Sequence, residues 1–304
     1  MPTHVSCHPE PIRCAQGKLR EGSIMLTQRS LHLDTHTFRV LLAQQGPSLG
    51  LWRAAEVAAL REITFEHPIL DLGCGDGLVT SQVLARVEVG LDPDKHVLER
   101  AARLGIYQHF ESVTAEEMQL PDASIETVVS NSVLEHLPRL DENLQAIARI
   151  LRPGGKLLFT SPTEAFSSWL LLPSKRYAAW RNRQLCHLNL WSLECWRHHL
   201  EQFGLEIEEV RPYLRHKHVF LWDLFELLQQ IWIGHKRLVG LIWRLIPPAT
   251  MDRLAQWASW QNLSSPYPGG GRLIIAHKRC IHVNRHPERS EGSVSEEYPT
   301  YANH

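Results

Sequence analysis

Ile69-Leu70-Asp71-Leu72-Gly73-Cys74-Gly75-Asp76-Gly77 is the stretch that decides how this chain is read. An apolar run ends in an acid, and glycines follow at every second position. That is the pattern of a buried strand breaking into a tight turn that opens a helix. Glycine suits such a turn because it accepts backbone angles that a side chain resists and lets a ligand approach the main chain. The unpaired N–H groups at the helix start point at whatever sits in the turn. A Walker-type phosphate loop is excluded, since no Gly-Lys-Ser/Thr follows. The dinucleotide fingerprint G-x-G-x-x-G fits poorly, because Gly77 comes one position early and Leu78 stands where the third glycine belongs.

Strands and helices alternate outward from this turn. Residues 47–62 follow a Gly-Pro break, and Leu49, Trp52, Val57 and Leu60 predict an amphipathic helix leading into the first strand. Leu78 to Arg86 is expected as the helix after the turn, and Val87 to Leu91 as a second strand ending in Asp92-Pro93-Asp94. A helix then runs to about Leu104, with Pro93 suited to its first turn. Tyr107–Val113, Ile125–Asn131, Lys156–Ser161 and Leu205–Tyr213 read as further strands, with helices over Arg139–Leu151 and from the Ser192 cap to Phe203. Thr163–Leu190 reads as a long connection, and 214–263 as helical and rich in Trp and Leu, before a last short strand at Arg272–Ala276. The expectation is an α/β, Rossmann-like fold: a seven-stranded, mostly parallel sheet with helices on both faces and a helical cap before the last strand.

The order Asp-Leu-Gly-Cys-Gly-Asp-Gly resembles motif I of the class I S-adenosylmethionine-dependent methyltransferases, of the type 11-like group. The resemblance continues through Asp92, Ala115-Glu116-Glu117-Met118, Leu120-Pro121-Asp122, Val128 to His136 and Ala148 to Gly155, covering about residues 65–162 in order. It implies S-adenosylmethionine as cofactor, held by Asp71, Leu72, Gly73, Cys74, Gly75, Asp92, Pro93, Ala115, Glu116 and Asn131. An ionised Asp92 accepts from two ribose hydroxyls, Leu91, Pro93 and Met118 wall the adenine, and the Ala115 N–H reads a ring nitrogen. Asp71 orders the turn and the ligand's ammonium side. Thr114 departs from the family by standing where many members carry an acid toward the adenine amino group, and Glu126 stands where an Asp is usual.

A sulfonium already carries a good leaving group, so alignment and, for a hydroxyl acceptor, removal of a proton are what a protein adds. His136 after the fourth strand and His187 before the helix preceding Leu205 are the candidate bases, each weighed against a purely packing or surface role. No Asn-Pro-Pro-Tyr stands after Val129, which argues against amino-group methylation of DNA or glutamine. A small-molecule, glycan or lipid-like acceptor fits better, and no nucleic-acid partner is expected. The 214–263 segment reads as a lid or cap over an apolar acceptor pocket, with a dimer contact or a peripheral membrane contact through the same residues as alternatives. A non-catalytic S-adenosylmethionine-binding protein and a nicotinamide-dependent oxidoreductase are the competing readings.

Composition agrees with this class. The 304 residues carry a formal net charge of −1, with 43% hydrophobic and 21% charged residues, so no basic field points to nucleic acid. The 18 histidines are scattered and no metal site is read; the six cysteines form no C-x-x-C pair and suit a reducing, cytoplasmic compartment. His8-Pro9-Glu10 with Arg20-Glu21-Gly22-Ser23, and again His286-Pro287-Glu288-Arg289-Ser290-Glu291-Gly292-Ser293, look like translated copies of an intergenic bacterial repeat. Residues 1–24 and 279–304 are therefore expected as disordered tails around a domain at 25–278, with Met25 as the expected true start.

Overall fold

The strand that ends at Leu72 is the pivot of the sheet in the computed structural model, which describes residues 24–27, 29–233, 236–237, 242–243 and 245–280. In chain order the strands are β1 (Met25–Leu26), β2 (Ile69–Leu72), β3 (Val87–Leu91), β4 (Tyr107–Glu111), β5 (Ile125–Asn131), β6 (Leu151–Pro162), β7 (Leu205–Tyr213), β8 (Trp232–Ile233), β9 (Lys236–Arg237) and β10 (Gly271–Lys278). Eight of them form one sheet in the order β1-β7-β10-β6-β5-β2-β3-β4, in which only β10 runs antiparallel to its neighbours. The chain moves from β2 outward to β3 and β4, then returns to place β5 on the other side of β2. That reversal makes a crevice at the carboxyl ends of β2 and β5, where open α/β sheets bind ligands.

The eight strands exceed the seven expected by β1, a two-residue strand in parallel register with Glu209 and Val210 of β7. Two residues carry no readable period, and the pairing partner lies far along the chain. The strands predicted at Val87–Leu91, Ile125–Asn131 and Leu205–Tyr213 are found with those bounds.

The helices are α1 (Thr35–Leu60), α2 (Leu78–Ser81), α3 (Lys95–Ala102), α4 (Leu140–Ile150), α5 (Lys175–Gln184), α6 (Leu193–Gln202), α7 (His216–Gln229) and α8 (Pro248–Ser259). Successive strand residues point to opposite faces, and each face has its own core. Ile69, Val129, Leu158 and Leu273 pack with Phe38, Leu41, Trp52 and Trp222 under α1, α7 and α8. Leu70, Val128, Leu157 and Ile274 pack with Leu144, Ile147, Trp196 and Leu200 under α4 and α6. The apolar residues of α4 recur at 140, 144, 147 and 148, one stripe of a helix, and all are buried.

Four local expectations are corrected. First, α1 begins at Thr35, where the Asp34 side chain caps the Thr37 N–H, and it kinks at Gly46 (φ 79°) before Pro47 rather than starting there. Second, α2 stops at Ser81 instead of Arg86. The Gln82 carbonyl is taken by the Arg61 side chain at 2.8 Å, and the chain must turn to enter β3. Third, the connection at 163–190 contains α5, whose basic sequence offers no apolar stripe; its one buried residue, Arg181, pairs with the fully buried Asp223 of α7 at 2.7 Å. Fourth, the cap is not helical throughout, since β8 and β9 pair antiparallel between α7 and α8.

Of the tails expected at 1–24 and 279–304, residues 1–23 and 281–304 lie outside the described residues, as do His235, Leu238, Leu241 and Arg244 of the cap. Among the described residues no helix is long and apolar enough to cross a membrane.

Candidate active site

Three backbone contacts fix the glycine turn. The N–H groups of Gly73 and Cys74 both donate to the Leu91 carbonyl, at 2.7 and 3.0 Å, and the Gly75 N–H donates to Asp92 Oδ2 at 3.0 Å. The turn after β2 is thereby clamped to the end of β3. Gly73 sits at φ +70°, and a Cβ there would lie 2.4 Å from a Val133 methyl. Gly75, at φ +54°, has nothing within 4 Å of where a Cβ would stand, so the space over it is open. Asp92 Oδ1 accepts from the Asp94 N–H at 2.9 Å, which leaves each carboxylate oxygen with a lone pair to offer.

A small cleft of ≈ 90 Å³ joins Asp71, Gly73, Cys74, Gly75 and Asn131, with Gln45 and Arg53 reaching in from α1. Asp71 is buried, and its Oδ2 accepts from Thr80 and Tyr107 hydroxyls, both at 2.6 Å. Burial pushes its carboxyl up to about 6, against the pull of those two hydroxyls. The Leu72 side chain is core and leaves only its backbone to the turn. Pro93 is exposed beside Asp92. Ala115 and Met118 are buried. Glu116 is ion-paired with Arg139, and the Thr114 hydroxyl caps its own short helix by donating to Glu117 at 2.8 Å.

Beyond Arg53 lies a second cavity of ≈ 110 Å³, lined by Trp52, Arg53, Ser132, Glu135, His136 and His187 among others. Arg53 borders both spaces. The two histidines, 51 positions apart, stack with ring centroids 5.4 Å apart and planes 29° apart. Their meeting is built by bonds to main-chain carbonyls. Leu188 N and Asn189 N donate to the Glu135 carbonyl, and Asn189 Nδ2 donates to the carbonyls of Leu134 and Leu137. The carbonyl of Cys186 then faces His136 Nδ1 at 3.1 Å. A carbonyl can only accept, so Nδ1 carries the proton and Nε2 carries the lone pair, 3.7 Å from Glu135 Oε1. Burial lowers the His136 pKa, and burial with His136 beside it drives His187 down to about 3. Both rings are neutral at ordinary pH.

Ser132 and Cys186 hold φ of +52°, unusual for residues with a side chain, and both flank this cavity. Under Ser132 lies a fully buried carboxylate, Glu56 of α1. It accepts from Trp52 Nε1 (2.9 Å), Ser132 Oγ (2.5 Å), Arg53 (2.7 Å) and Asn131 Nδ2 (2.9 Å). The Asn131 amide is thus turned toward Glu56.

Residues 39–210, more than half of the chain, match the family model described as "Methyltransferase domain". The chain belongs to the class I S-adenosylmethionine-dependent methyltransferases. Over 115 residues it is 28% identical to a ubiquinone biosynthesis O-methyltransferase of Colwellia psychrerythraea, covering 35% of this chain and 46% of the relative. Over 130 residues it is 32% identical to an uncharacterized methyltransferase of Mycobacterium bovis, covering 40% and 57%. The match spans about half the length of these relatives. Among solved structures, an S-adenosylmethionine-dependent methyltransferase of Thermotoga maritima superposes with a TM-score of 0.51 at 14% identity, covering 80% of this chain and all of the other; at that identity the likeness concerns the fold.

In this methyltransferase the sequence reading missed Gln45, Arg53, Glu56 and Glu135. Glu56 carried a faint signal, an acid one turn from Trp52 on the apolar stripe of a helix. Glu135 stood in the quoted strand-end segment but drew no attention beside His136. Burial pushes the Glu135 carboxyl up to about 8, and the Glu56 carboxylate nearby adds to the rise. One of its oxygens has no hydrogen-bond partner among the described residues.

This fixes a pH dependence. An acid whose folded pKa lies above its unfolded value keeps a proton that the unfolded chain releases, so stability falls as pH rises from about 4 toward 8. Glu135→Gln is expected to remove at least ~2 kcal/mol of that fall. Thermal unfolding of both proteins at acid and mildly alkaline pH checks it, and parallel curves would contradict the burial argument.

Proposed function

We propose that this enzyme transfers a methyl group from S-adenosylmethionine to a hydroxyl of a small-molecule, glycan or lipid-like acceptor, with His136 as the base. The observation that carries the reading is the neutral His136 ring. Its Nε2 carries the lone pair, and the residue lines a cavity that shares Arg53 with the glycine cleft. The residues present fit the cofactor: open space over Gly75 for its amino-acid tail, and the two unspent lone pairs of Asp92 for the ribose diol. Ala115 with Met118 provides an apolar wall for the adenine. When bound, the cofactor supplies an electrophilic methyl on a sulfonium.

The protein's part is alignment and proton removal. His136 Nε2 takes the acceptor's proton as the oxygen attacks, and the Cys186 carbonyl stabilises the imidazolium through Nδ1–H. His187 stacks on that ring and fixes its plane. The several relatives named ubiquinone biosynthesis O-methyltransferase support oxygen as the methylated atom.

His136→Ala is expected to lower kcat by roughly 100-fold or more, the usual contribution of a positioned base, while S-adenosylhomocysteine affinity stays unchanged. His187→Ala is expected to have a smaller effect. Labelled-methyl transfer to fractionated cell extract, followed by the two variants on the acceptor found, is the test. Full turnover in both would remove histidine base catalysis, and failure of the wild-type protein to bind S-adenosylhomocysteine in calorimetry would sink the whole reading.

A further inference from the structure

A larger cavity of ≈ 540 Å³ lies between α1, α7 and α8, within the range of about 300–1,000 Å³ typical of small-molecule sites. It shares no lining residue with the cavity at His136. Its walls are apolar, with Phe38, Leu51, Leu221, Phe225, Trp243 and Trp257 prominent. Trp243 is turned by a 2.7 Å bond from its indole N–H to the Leu42 carbonyl.

Polar groups gather at one end. Leu214 N donates to the Leu263 carbonyl at 2.7 Å, so the start of α7 and the end of α8 meet. Lys217, His218 and Gln261, the polar residues of the lining, stand on those two ends. His218 is 4% exposed. Its Nδ1 accepts from the Arg215 N–H at 3.2 Å, which places the proton on Nε2, and that atom has no partner among the described residues. A buried N–H without an acceptor is costly and calls for an oxygen. Lys217, exposed beside it, adds a positive charge at the rim. The outer edge of α8 is apolar too, with Trp257 59% and Trp260 73% exposed.

We propose that this cavity is a second ligand site that takes a long-chain aliphatic carboxylate, its chain among the apolar walls and its head on His218 Nε2–H and Lys217. An unbranched chain suits walls whose described residues away from that end are apolar, and an anionic oxygen head answers both the orphan donor and the adjacent ammonium. The site does not depend on the methyl-transfer reading.

Tryptophan quenching by dibromostearate tests it, because bromine quenches on contact and Trp243 and Trp257 form part of the wall. Saturable quenching at one molecule per chain, displaced by plain stearate, is expected. Leu221→Trp and Ala258→Phe each fill the cavity from a different helix and should weaken binding about 10-fold or more, with an unchanged thermal transition. Lys217→Glu should weaken stearate more than it weakens the uncharged octadecanol. Quenching that fails to saturate overturns the site. So does full affinity in either filled variant that keeps its thermal transition. Tighter binding of a long-chain trimethylammonium ion than of stearate overturns the carboxylate assignment.

Discussion

Glu56→Ala is expected to destabilise the protein by about 3 kcal/mol, the low end of the cost of removing one partner from a buried charge pair, since Arg53 keeps some contact with solvent. The Glu56 carboxylate sits at zero exposure and satisfies Trp52, Ser132, Asn131 and the Arg53 guanidinium at once. Alanine would leave the buried Trp52 N–H unpaired and take the shared acceptor from the half-buried Ser132, Asn131 and Arg53. An unpaired buried donor costs about 1–3 kcal/mol by itself, and the lost pairing of the half-buried Arg53 adds to it. A shift of that size corresponds to a fall in Tm of about 10 °C for a domain of this size. Calorimetric melting of the variant beside Glu56→Gln is the check. The amide keeps the shape and one acceptor oxygen, so it should recover part of the loss. Melting within a degree or two of the wild type in Glu56→Ala would show that water enters and replaces the carboxylate. The substitution should reach the site as well, because the Ser132 hydroxyl bonds Glu56 and Arg53 lines both the glycine cleft and the His136 cavity.

Asp92→Ala is expected to weaken S-adenosylhomocysteine binding by roughly 100-fold or more. Two charge-assisted hydrogen bonds to a diol account for about 3–6 kcal/mol together. The loss has a second source in the protein itself. Asp92 Oδ2 holds the Gly75 N–H at 3.0 Å and Oδ1 holds the Asp94 N–H at 2.9 Å, so the carboxylate ties the glycine turn to the start of α3. Asp92→Asn separates the two contributions. One amide oxygen can keep the bond from Gly75, while the amide nitrogen, a donor only, cannot accept from a second hydroxyl. Titration calorimetry of wild type, Asn and Ala variants should rank them in that order. Equal affinity in all three would remove Asp92 from the cofactor site.

Much of the fold was legible because the relevant forces are local in sequence. The glycine turn, the Ser192 cap of α6 and the apolar stripe of α4 are each decided within about ten residues, and β3, β5 and β7 are found with the bounds their branched, apolar composition marks. What failed was non-local. The strand β1 exists only because Met25 and Leu26 meet β7. The helix α5 is basic along its length and is held to α7 by the buried Arg181–Asp223 pair. The helix α2 ends where the chain turns toward β3, and there the Arg61 side chain, contributed from the end of α1, bonds the Gln82 carbonyl.

The same division runs through the site. The sequence alone determined an α/β sheet, a close-approach turn at Asp71–Gly77 and an acid at Asp92 one strand away, because strand, turn and helix start are written consecutively and their physics is that of neighbouring residues. It named His136 and His187 separately. Only the tertiary structure decided that the two rings stack, that Cys186 fixes which nitrogen of His136 carries the proton, and that Glu56 lies buried beneath Ser132. It also decided that α1, α7 and α8 line a large apolar cavity beside an N–H, that of His218, with no partner among the described residues. The reason is desolvation. Which polar groups lose water, and which partners replace it, is set by segments that meet across tens to hundreds of residues, and no stretch of chain carries that information by itself.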